Sequence, residues 1–130
     1  MCISLLLAMT ACDKQPINGK LDGMWKLTTI EYNDGSIEES NGIYYRIQLH
    51  TVMIDDRRSG AGNFIADFSS ENGVTISRLR DVNNIEAIPN EEMLKPLGLN
   101  SPDTHFTVEK LTGKHMILKS DYARLTFLKF

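Results

Sequence analysis

Few residue types in this sequence can do chemistry at their spacing, and Cys12 is the first of them. The chain has two cysteines, Cys2 and Cys12, both within its first twelve residues. A disulfide framework and a metal site built from several thiolates are therefore excluded. The histidines are His50, His105 and His115, and no two share the close spacing of H-x-H or H-E-x-x-H. A zinc site would have to assemble from three separate segments, so no metal ligand is assigned. Residues 81–86 (DVNNIE) offer several oxygens but lack the glycine and terminal glutamate of an EF-hand loop. Asp55-Asp56-Arg57-Arg58 is a mixed-charge cluster of the kind that caps a strand end in water. G-x-S-x-G, P-loop, C-x-x-C and nucleotide-binding glycine patterns are all missing. No catalytic residue and no cofactor is assigned, and binding is expected over catalysis.

The elements that must position any site belong to one small domain. The chain has 130 residues, 42% of them hydrophobic and 24% charged, values that suit one globular core. The net charge of -3, with both signs interspersed, lacks the basic stripe that neutralises phosphates, so nucleic acid is not an expected partner.

Residues 3–11 (ISLLLAMTA) are apolar and uncharged, like the central region of a secretory leader, and far too short to span a bilayer as a helix. The following Met9-Thr10-Ala11-Cys12 resembles the bacterial lipobox, small residues directly before a cysteine. That resemblance implies that residues 1–11 are a signal peptide, that diacylglycerol is attached to the Cys12 thiol, and that the mature chain starts there. No Lys or Arg precedes the apolar run, so the true start is expected upstream of Met1. Residues 12–20 would form a polar, lipidated tether. The implied location is the envelope of a Gram-negative bacterium, on the periplasmic face or the cell surface, with the membrane reached through the lipid alone.

From residue 21 to 130 the pattern has mostly period two, broken by turn residues. Residues 25–33 and 43–50 read as strands, with 51–55 continuing the second after a bend. Further strands are expected at 63–68, 74–80, 104–111, 115–119 and 122–129. Residues 81–89 are weakly patterned and read as a loop or an irregular edge strand. A short helix should begin after Asn90 as N-cap, run to about Pro96 and end at Gly98, near 90–97 overall. About eight short antiparallel strands with one small helix predict an all-β, up-and-down barrel, which leaves no exposed sheet edge.

Gly23-x-Trp25, at the head of the first strand, resembles the G-x-W signature of the lipocalin and calycin barrels. The run Leu-x-Gly-x-Trp-x-Leu after the tether, and the closing strand pair at 106–111 and 115–125, are similar to small lipocalin-like lipoproteins. The resemblance implies that Trp25 plugs the closed barrel end under a cation from the last strand. Arg124 and Lys129 are the candidates, with Lys129 preferred because it lies nearer the end of the chain.

Alternation places Leu27 and Thr29 on the inward face with Trp25. On later strands Tyr45, Ile47, Phe64, Phe68, Ile76, Phe106 and Phe127 are expected inward, as core residues and as possible ligand contacts. Two functions follow. One is a lipid-anchored barrel holding a small, largely apolar ligand. The other is a filled barrel that docks a protein of a cell-envelope complex.

Overall fold

The structure, a computed structural model, describes residues 18–58 and 62–130. Cys12, the leader and most of the tether lie outside the described residues. Nine antiparallel strands form one sheet: β1 (Gly23–Tyr32), β2 (Ile37–Glu39), β3 (Ile43–Gln48), β4 (Thr51–Asp56), β5 (Gly62–Ser69), β6 (Val74–Asp81), β7 (Thr104–Leu111), β8 (His115–Lys119) and β9 (Ala123–Lys129). Each strand pairs with its neighbour in the chain except at β1, which pairs with both β2 and β3 along one edge and with β9 along the other. The β1–β9 pairing closes an up-and-down barrel of eight strands, with β2 as a short addition. Closure removes the open edge, and aromatic and β-branched residues in β1 and β3 suit the pleated wall.

Two details differ from the sequence expectation, each for a local reason. A bulge between Leu27 and Thr29 reverses the phase of β1, so Ile30 is buried in the place expected for Thr29, which is only half-buried. Residues 43–55 are two strands joined by a tight hairpin. Gln48 pairs with Thr51, and Leu49 turns the chain with φ 58°. Leu49 is consequently exposed, and its lack of glycine or asparagine character hid the turn.

Between β6 and β7 the chain leaves the sheet. Here α1 (Glu91–Leu94) runs into a 3-10 turn, Lys95–Leu97. The Asn90 side chain accepts from the Met93 N–H at 2.9 Å, the expected N-cap, and Gly98 ends the turn with φ 84°. A Cβ on Gly98 would come within 2.4 Å of Leu125 Cδ2, so glycine is needed for close packing as well as for the turn.

Candidate functional site

One end of the barrel is sealed. Trp25 is fully buried, and its indole N–H donates to the Leu21 carbonyl at 2.9 Å from the 3-10 turn Gly19–Leu21. The Lys129 ammonium lies 4.6 Å from the Trp25 ring centroid and donates to the Asp22 carbonyl at 2.6 Å. Gly23 makes this possible. Its φ is 129°, and a Cβ there would sit 2.7 Å from Lys129 Cε. Arg124 is elsewhere, on the outer wall, paired with Glu31 at 3.0 Å and Glu109 at 2.6 Å. Asn18 fastens the same end, donating to the Leu49 carbonyl and accepting from Ser70.

The barrel interior is apolar. Tyr45, Ile47, Phe64, Phe68, Ile76, Phe106 and Phe127 are all buried, and Tyr45 packs edge-on to Phe127 with centroids 4.9 Å apart. Ile30, Ile43, Met116 and Leu125 join them. The Tyr45 phenol is a fully buried polar group within this wall. Burial pushes its pKa well above the usual phenol value, so it stays a protonated donor.

The opposite end, the mouth, is filled by residues that the strand pattern does not supply. Leu94, Leu97 and Leu99 are completely buried, and the Leu97 carbonyl accepts from the Tyr45 hydroxyl at 2.6 Å. Asn90 and Gly98 predict the short helix, but its insertion into the mouth is a feature that the strand alternation does not contain. The usable signal was the Leu94–Leu97 spacing after an N-cap, which puts two leucines on one face.

A scan against protein families matches residues 6–130 to the lipocalin-like domain. The chain belongs to the lipocalin-like domain family. Its barrel resembles a lipocalin-like protein from Bacteroides uniformis, with TM-score 0.69 and 22% identity over 86% of this chain and 100% of that one. It also resembles an uncharacterized protein from Bacteroides eggerthii, with TM-score 0.67 and 22% identity over 84% of this chain and 98% of that one. A protein from Burkholderia xenovorans aligns with TM-score 0.58 and 14% identity over 84% and 82% of the two chains. No functionally curated protein matches.

The rim of this lipocalin-like domain carries the Asp55–Arg58 cluster. Asp55 and Asp56 are buried at the end of β4; Arg46 and Arg57 approach Asp55, and Arg58 pairs with Asp56 at 2.8 Å. The Arg58 guanidinium holds the Asp56 carboxyl below the ordinary carboxylate range, against the opposing effect of burial. Among the described residues no three His, Cys, Asp or Glu side chains converge as a metal site. His105 bonds to Thr75 on the outer wall. Two concavities flank the leucines at the mouth. One, of about 360 Å³, lies against Tyr32, Lys95 and Tyr122; the other, of about 290 Å³, lies against Arg58, Phe64 and Met93.

Proposed function

We propose that this lipocalin-like domain is a lipid-anchored binding protein of the bacterial cell envelope that takes a small, largely apolar ligand at the mouth of its barrel. The supporting observation is the mouth itself. Its filling comes from a short segment outside the strands, over an apolar wall into which the Tyr45 hydroxyl is buried. Small-ligand sites have this composition, mostly apolar with a few placed polar groups. Binding without catalysis suits the rim, where Asp55 and Asp56 are engaged by arginines. The anchor rests on residues 3–12, whose pattern is that of a processed lipoprotein leader.

Native mass spectrometry of the protein extracted from its own cells tests the ligand. The expected result is a copurifying small molecule; none, together with no thermal shift across a metabolite and lipid panel, would defeat the reading. Cys12→Ala should move the domain to the soluble fraction. Retention of that variant on membranes, with no acyl mass on the native protein, would remove the anchor.

A second reading is favoured by a different observation. Val82, Ile85, Ile88 and Met93, all within one mouth segment, are exposed, Ile88 at 81%. Exposed apolar residues in one segment suit a docking surface for an envelope protein. Crosslinking from position 88 in cells, giving one discrete adduct, would support this alternative.

A further inference from the structure

We propose that residues 90–99 are a displaceable plug standing in for a ligand, and that the ligand is a small uncharged apolar molecule bearing a carbonyl, which replaces Leu97 as the acceptor for the Tyr45 hydroxyl. The inference rests on the binding reading above and specifies its ligand chemistry.

The plug is held in a way that permits release. Its backbone bonds close on itself: Met93 and Leu94 donate to Asn90, Gly98 to Lys95, and Leu99 to Leu94. Its hydrogen bond to the barrel, among the described residues, is the one from Tyr45 to Leu97. Apart from that bond, the hold is the burial of Leu94, Leu97 and Leu99 and the Lys95 ammonium over the Tyr32 ring at 5.7 Å. The preceding residues 82–88 are exposed throughout, and the two flanking concavities leave room on either side.

Ligand chemistry follows from what the plug supplies. Three leucine side chains must be replaced by apolar surface, because exposing the wall to water is unfavourable. The Tyr45 donor must also be satisfied, since a buried hydroxyl without an acceptor costs more than the hydrogen bond itself contributes. A hydrocarbon fills the space and orphans that donor, whereas a carbonyl compound satisfies it. A carboxylate meets a second obstacle. The charged groups buried among the described residues are Asp55 and Asp56 at the rim, and both are already engaged by arginines. A carboxylate beside the Tyr45 hydroxyl would therefore lose its hydration inside an apolar wall where, among the described residues, no buried cation repays it.

Three probes sharing one ring separate these terms: toluene, acetophenone and benzoate, titrated into the isotopically labelled full chain and followed by NMR and amide hydrogen exchange. Acetophenone should bind, and the Met93, Leu94, Gly98 and Leu99 amides should then exchange faster while β1, β3 and β9 amides stay protected. The acetophenone-to-toluene affinity ratio should be about fivefold higher in the native protein than in Tyr45→Phe, which keeps the ring and removes only the hydroxyl. Benzoate should bind about tenfold more weakly than acetophenone in both proteins. Binding with the plug amides equally or better protected would overturn the plug and leave the binding reading standing. Equal ratios in the two proteins would overturn the role of Tyr45. A Leu94→Ala, Leu97→Ala double variant, its fold checked by the β1 and β9 amides, should bind acetophenone more tightly than the native protein. Failure of every probe on both proteins would defeat the binding reading itself.

Discussion

The Lys129 side chain ties β9 to β1, the two strands whose pairing closes the barrel, through Trp25. Its ammonium faces the indole ring at 4.6 Å while donating to Asp22, just ahead of the strand that carries Trp25. The last strand is thus fastened to the first by a cation–aromatic contact and a charge-assisted hydrogen bond, beyond the backbone ladder.

Lys129→Met should lower unfolding free energy by about 1–3 kcal/mol, read by urea denaturation, since it removes both interactions and keeps the aliphatic stem. Arg124→Met, on the same strand, should shift the midpoint much less. Its pairs with Glu31 and Glu109 lie at the surface, where water and salt screen them. A larger effect at Arg124 than at Lys129 would contradict this ordering.

Gly23→Ala should cost about 1–3 kcal/mol, because φ 129° strains any L side chain and the new Cβ displaces the Lys129 stem. Trp25 is the single tryptophan, so its emission reports the displaced ammonium directly. Unchanged emission and unchanged stability together would show that the contact does not depend on the glycine.

Gly98→Ala acts at the other end. The added methyl group meets Leu125 and the backbone keeps φ 84°, so the plug should loosen by about 1 kcal/mol or more. Amide exchange at Leu99 should accelerate well before exchange in β9. Parallel acceleration throughout the barrel would mean that plug and wall open as one unit.

Acid stability should depend on Asp56. Arg58 depresses its carboxyl pKa, so the folded state holds fewer protons there than the unfolded chain as pH falls toward about 4. The pair's contribution is complete above the unfolded carboxylate value and is lost as pH falls through the depressed one. Asp56→Asn should therefore lower stability at neutral pH and flatten the acid limb of the curve. A limb as steep in the variant as in the native protein would assign acid sensitivity to other carboxylates.

The barrel was legible because its walls obey simple alternation, as in β3, where Ile43, Tyr45 and Ile47 face in and Tyr44, Arg46 and Gln48 face out. The helix was legible because Asn90 and Gly98 mark its ends chemically. Alternation misleads where a single residue resets the phase. The bulge before Thr29 exchanges that threonine for Ile30, and no glycine or proline announces it. The short β2 was missed because all three of its residues are exposed and show no alternation in burial. At the candidate site, the seven wall residues and the Trp25–Lys129 pair could be named from period and position. The insertion of Leu94, Leu97 and Leu99 could not, because whether a short amphipathic segment lies on a barrel or enters it depends on the space left by side chains from distant strands.

The chain enters and leaves the barrel at the same pole. Asn18 is bonded to the Leu49 turn, and Phe130 donates its backbone N–H to Met24, both beside the Trp25 seal. A solid support, fluorescent fusion or optical-trap handle joined at Asn18 or Phe130 would therefore hold the molecule by its stopper, with the mouth directed outward into solution.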